Sequence, residues 1–208
     1  NPSGHATDLF SDLSAEFIRE RKKSKDPFFL FLSYNAPHTP IQPPKEWTAK
    51  VMKREKGITQ QRAKLVALIE HMDEGIGRVL SAIEEKDNTI VIFTSDNGGQ
   101  ANVGARNHPW RGEKQQMWEG GIRVPACIVW PGKVKGGSKY SGDSMSMDWM
   151  PTLMDIVGAK KNELLDGVSL WPGIQGKDDS NNQERTLLWV RREGGTRYGG
   201  QDYYAIRK

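Results

Sequence analysis

The sequence predicts an α/β domain built on a largely parallel central sheet. Amphipathic helical segments alternate with short, wholly apolar runs, the pattern of strands covered on both faces. Two of those runs end in residues suited to chemistry, His38 beyond one and Asp96 with Asn97 beyond another. Ligands gather outside the carboxyl ends of strands in open α/β sheets, so this coincidence starts the functional argument.

The elements follow in order. Leu9, Leu13, Phe17 and Ile18 share one helical face, and that helix closes on a basic run stopped by Asp26 and Pro27. The continuous apolar run 28–34 reads as a strand buried on both faces. Pro37, Pro40, Pro43 and Pro44 make the next stretch irregular. The clearest helix is 59–84, where Leu65, Leu68, Ile69, Met72, Ile76, Val79, Leu80 and Ile83 form one apolar stripe. A second buried strand, 89–94, runs into Ser95, Asp96, Asn97, Gly98 and Gly99. The polar loop 100–123 is longer than the roughly 12–15 residues of an idle connection. A third strand, 126–130, ends at Pro131 and Gly132, and a helix over 149–157 is stopped by Gly158. Two further β candidates are 186–190 and 203–206.

Composition narrows the function classes. Of 208 residues, 36% are hydrophobic and 27% charged, too apolar for disorder. No apolar run reaches the roughly 20 residues of a membrane helix. Thirty basic residues against 26 acidic ones give +4, spread too evenly to argue for nucleic acid. The single cysteine, Cys127, excludes an internal disulfide or a cysteine-built metal site, and its apolar neighbours predict an inert core position. Chemistry must therefore rest on His, Asp, Asn, Lys and Arg. The opening residues carry no secretory signal, so any targeting segment is expected to be either absent or missing from this stretch.

Asp96 beside Asn97 offers two hard oxygen ligands suited to Ca²⁺ or Mg²⁺, and the following glycines allow close backbone approach. The same four residues also make an ordinary turn. His38 stands between prolines that fix its backbone, and is otherwise a plain loop histidine. The segment 110–125 packs cations, tryptophans and glycines together. Its Lys and Arg can clamp an oxyanion and its tryptophans can form a sugar or aryl platform, or the whole can be a solvated charged loop. His108 lies in the same loop, and His71, inside the long helix, reads as structural.

Taken in order, these segments resemble the sulfatase family of the alkaline-phosphatase superfamily. The matching stretches are 27–32 with 36–40, 72–80, 89–99, 111–114, 119–125, 130–132, 147–148 with 151–153, 165–170 and 204–208, nearly the length of the chain. The resemblance implies an alkaline-phosphatase-like mixed, mostly parallel sheet with flanking helices. Residues 1–185 would be the central and later part of the catalytic domain, and 186–208 the start of the C-terminal subdomain. It implies that Asp96 and Asn97 ligate a divalent cation, usually Ca²⁺, that His38 binds the sulfate, and that Lys114 stands near its bridging oxygen. His108, Arg111 and Trp118 are expected substrate contacts without motif support.

The family's nucleophile is a formylglycine made from Cys or Ser in a Cys/Ser-x-Pro/Ala-x-Arg motif. Cys127 is followed by Ile128, Val129 and Trp130, and no serine fits either. The first metal aspartates also lack a counterpart, so the chain is expected to be part of a longer sulfatase and inactive alone. The implied substrate is a sulfated small molecule or polysaccharide, and the implied location is periplasmic or secreted. Two alternatives stay open: a phosphoryl-transfer member of the superfamily, and a truncated non-catalytic protein that binds anionic glycans.

Overall fold

The computed structural model describes residues 3–24, 26–84, 88–160, 164–177, 184–191 and 203–208. They fall into two compact units, one of 1–89 with 99–106 and one of 90–98 with 107–208. No helix among the described residues is long and apolar enough to cross a membrane.

The first unit is helical: α1 (Ala6–Arg21), α2 (Lys45–Arg54) and α3 (Gln60–Leu80). The ring of His5 caps α1 by accepting the Thr7 N–H at 3.2 Å, and Thr59 caps α3 by accepting the Arg62 N–H at 3.3 Å. The buried face of α1 differs from the expected one. Thr7, Ser11, Ser14, Ala15 and Ile18 are buried, while Leu13 is 59% exposed. Small residues line this face because α3 lies very close: a Cβ added to Gly75 would stand 2.4 Å from Ser11 Oγ. The opposite side of α3 buries Ala63 and Ala67 against Val51 of α2, with Trp47, Ile58 and Val66 around them. The helix α2 is absent from the sequence expectation, and Pro44 is its N-cap rather than a sign of irregular chain.

The apolar run 28–34 is not a strand among the described residues, nor is it buried on both faces. Leu30 and Leu32 pack against a core of Ala15, Ile18, Val79 and Ala82, whereas Phe29 and Phe31 are 75% and 79% exposed. An extended chain sends alternate side chains to opposite faces, so one packed neighbour covers only half of them.

The second unit holds β1 (Val91–Thr94), α4 (Glu119–Ile122), β2 (Ala126–Val129), α5 (Trp149–Ile156), α6 (Trp171–Ile174), β3 (Leu187–Arg191) and β4 (Tyr203–Arg207). The pairings described are antiparallel rather than parallel, β1 with β2 (Ile92 opposite Ile128) and β3 with β4 (Trp189 opposite Ala205). Parallel neighbours need a crossover, usually a helix laid on the sheet. Between β1 and β2 the chain forms only a 3-10 turn at Ala101–Val103 and the four-residue α4, and it returns antiparallel. Cys127 lies in β2 as expected but is exposed, because nothing described covers that face of the two-stranded sheet. Helix α5 matches its expected span and stops where Gly158 takes φ +67°, a left-handed value glycine reaches without strain.

Beneath α5 lies a buried polar hub. The fully buried Asp148 carboxylate accepts the N–H groups of Met145 (2.6 Å) and Val168 (3.0 Å) and both terminal nitrogens of Arg185 (2.7 and 2.6 Å). Thr152, also fully buried, donates to the Asp148 carbonyl and accepts the Leu170 N–H.

Candidate functional site

Strand β1 delivers Asp96 and Asn97 at its carboxyl end. One Asp96 oxygen, Oδ1, accepts both the Asn97 backbone N–H (2.9 Å) and the Asn97 side-chain amide (2.8 Å). With its NH₂ turned to the carboxylate, the Asn97 amide leaves Oδ1 free. Asp96 Oδ2 likewise has no partner among the described residues. Two hard oxygen atoms therefore remain for a cation, the donor type Ca²⁺ and Mg²⁺ favour.

Glycines lock this turn to the segment carrying Lys114. The Gly98 N–H donates to the Gly121 carbonyl at 2.9 Å, and the Gly120 N–H donates to the Arg111 carbonyl at 2.7 Å. A Cβ on Gly98 would fall 1.8 Å from Gly120 O, and one on Gly121 would fall 2.1 Å from Gln116 O. Only glycine lets three backbone segments approach so closely. Lys114 occupies the second position of a tight turn closed by the Gln116 N–H donating to the Glu113 carbonyl at 2.9 Å. Gln115 there takes φ +77°, a conformation uncommon for a residue with a side chain. Arg191 of β3 donates to the Gln115 carbonyl and holds the turn from outside. The Lys114 side chain is half-buried and makes no hydrogen bond or ion pair among the described residues, so its charge is available.

The rest of the loop is cation–aromatic. Arg111 lies over Trp118 at 4.0 Å and Arg123 over Trp110 at 4.2 Å, with the two indoles 51% and 43% exposed. Arg123 also pairs with Glu119 at 3.3 Å. His108 is exposed and without a hydrogen-bond partner among the described residues.

His38 belongs to the first unit, whereas Asp96, Asn97, His108, Arg111, Lys114 and Trp118 all belong to the second. Its backbone N–H donates to the Asn35 carbonyl at 2.9 Å, closing a turn. Ring Nδ1 meets the Thr39 carbonyl at 2.8 Å, which fixes that nitrogen as the protonated one, and Nε2 makes no hydrogen bond among the described residues. The ring is exposed.

A second cluster escaped the sequence reading. His5, Asp8 and His71 place ligand-type atoms within 4.8 Å of one another, close enough to hold a metal ion. Asp8 Oδ1 already accepts from His71 Nε2 (3.0 Å) and Arg78 (2.7 Å), and the Arg78 guanidinium supplies positive charge there. Burial opposes the Asp8 charge, but the Arg78 hydrogen bond and neighbouring His71 hold its carboxyl below the ordinary range. These partners lie 63 and 70 residues from Asp8, beyond any local sequence pattern.

A sulfatase family profile matches residues 1–159. A sulfatase of Formosa agariphila is 32% identical over 203 residues, covering 89% of this chain and 36% of that protein. The uncharacterized sulfatase YdeN of Escherichia coli is 32% identical over 193 residues, covering 90% and 34%. The solved structure of Ps i-CgsB in complex with k-i-k-neocarrahexaose superposes with a TM-score of 0.86 at 32% identity, covering 99% of this chain and 45% of that one. The chain belongs to the sulfatase family, with the alkaline-phosphatase-like α/β fold of that neighbour. It spans about a third of the length of the curated relatives it matches.

Proposed function

We propose that this chain contributes half of a divalent-cation shell and part of the sulfate clamp to an enzyme that hydrolyses sulfate esters of a carbohydrate or aryl compound. The observation that carries the reading is the pair of unengaged oxygens on Asp96 and Asn97, held by interlocked glycines in the same unit as an unpaired Lys114. The cation, when bound, supplies positive charge against the sulfuryl oxygens.

Breaking the ester S–O bond pushes negative charge onto the leaving oxygen. Lys114, an ammonium that pairs with no carboxylate among the described residues, donates to that oxygen as the charge develops. His38, in the first unit with its ring oriented through Nδ1, is assigned a sulfate contact on the strength of its family motif. Arg111, stacked on Trp118, and the exposed His108 serve the organic part of the ester. A formylglycine of the family's type would supply the attacking oxygen, and no Cys-x-Pro-x-Arg precursor for it exists in these 208 residues. A periplasmic or secreted location accompanies this reading.

The test is calorimetric titration of the 208-residue chain with Ca²⁺, beside an assay with an aryl sulfate. Weak Ca²⁺ binding is expected, reduced about tenfold by Asp96→Ala with Asn97→Ala, and no turnover is expected. Ca²⁺ binding indifferent to the double substitution, or turnover by the chain alone, overturns the proposal.

A further inference from the structure

Residues 113–116 form a turn whose ends and middle are held by different contacts. The Gln116 N–H closes it on the Glu113 carbonyl at 2.9 Å, and the Glu113 N–H donates to the Gln116 side chain at 3.2 Å. Of the two central residues, Lys114 keeps a negative φ while Gln115 takes +77°. That is the pattern of a type II turn, whose third position ordinarily belongs to glycine or asparagine. A type I turn would keep the same closing hydrogen bond and give Gln115 an unstrained negative φ. It would also turn over the peptide that joins Gln115 to Lys114. The contacts at the ends therefore do not choose between the two forms.

We propose that Arg191 makes that choice and is a positioning residue for Lys114. Its guanidinium donates to the Gln115 carbonyl at 2.5 Å, on the strained residue itself. The inference rests on the reading of Lys114 as donor to the leaving oxygen, and adds to it a residue that need not touch the substrate.

A hydrogen bond from a charged donor is of the same order as the strain of a left-handed residue with a side chain, so one can hold the other. The arginine is also mounted on a paired ribbon. In the β3–β4 ladder Arg191 lies opposite Tyr203 and Arg207 opposite Leu187, which puts both arginines on one face, at the two ends. Leu188, Val190, Tyr204 and Ile206 occupy the other, exposed face. From the second end Arg207 donates to Glu119, the first residue of α4, and to Asp143 at 3.0 Å. The ribbon thus spans the segment from the Lys114 turn to α4 and holds it at both places. Lys114 has no partner of its own among the described residues, so the backbone beneath it sets its direction.

The test follows the turn by NMR on the 208-residue chain. Its readout is the nuclear Overhauser contact between Lys114 Hα and the Gln115 amide proton, strong in a type II turn and weak in type I. The contact should be strong in the wild type, weak in Arg191→Ala, and retained in Arg191→Lys, which keeps a charged donor. Adding Gln115→Gly to Arg191→Ala should restore it, because glycine takes a positive φ without a brace. A general loss of stability would not be repaired by removing the side chain of Gln115. An aryl sulfate should shift the Lys114 side-chain signals of the wild type. Arg191→Ala should need about fivefold more of it for half that shift, and the double variant should behave as the wild type. A contact weak in the wild type, one that survives Arg191→Ala, or one that Gln115→Gly fails to restore overturns the positioning role and leaves the Lys114 reading intact. A wild-type chain whose Lys114 signals ignore the aryl sulfate overturns that reading, while the turn contact still decides the part of Arg191.

Discussion

Asp148 has no solvent contact, and every oxygen lone pair it offers is met from the chain by two amide N–H groups and the forked Arg185 guanidinium. Its carboxylate in turn raises the Arg185 pKa. Removing one member of such a pair strands the other in a low-dielectric site. Asp148→Ala should cost about 3 to 5 kcal/mol in urea unfolding, far more than substitution of an exposed pair such as Arg54 with Glu70. At this scale the sequence was partly legible. Asp96, Asn97 and Lys114 stood out because side-chain chemistry and flanking glycines are local properties. Asp148 did not, since Val168 and Arg185 lie 20 and 37 residues further along the chain.

At the scale of elements, the contact between α1 and α3 depends on the absence of a side chain at Gly75. Alanine there gains about 1 kcal/mol of helix propensity but must displace Ser11 Oγ. That hydroxyl is held by the Thr7 carbonyl at 2.7 Å and by Tyr34 Oη at 2.8 Å, so it cannot simply swing aside. The clash wins, and Gly75→Ala should destabilise by about 1 to 3 kcal/mol. Adding Ser11→Ala should recover part of the loss, because the added Cβ then meets only contacts of 3.3 and 3.4 Å. Thermal melts of the two singles and the double complete that cycle. A seam of Thr, Ser, Ala and Gly carries no apolar stripe, and this is why periodicity chose Leu9 and Leu13 for the face of α1. The two-proline stretch hid α2 for another reason: a helix start needs no N–H from its first residues, so Pro44 can introduce one. Strand direction was equally hidden, since it depends on how the loop 95–125 returns rather than on the apolar runs themselves.

For the molecule as a whole, acid is the condition that should separate the contributions of its charges. Asp8 has a carboxyl pKa below its ordinary value of about 3.9, so its charged form is favoured by folding. The stabilisation is complete above that ordinary value and disappears as pH falls through the lower, folded-state value. Wild-type and Asp8→Asn chains should therefore differ in urea midpoint at pH 7 and converge near pH 2. A gap that persists at pH 2 would show that Asp8 acts through geometry alone.

The order of segments along the chain has a genetic consequence. Residues 99–106 belong to the first unit, although 90–98 before them and 107–208 after them belong to the second. No single cleavage or gene truncation can release either unit whole. A clone starting at 107 would keep Lys114 and β2 but discard β1 together with Asp96 and Asn97. Dissection of this protein calls for an internal deletion, in which 90–98 is rejoined to 107 through a short linker in place of 99–106, rather than for truncation from either end.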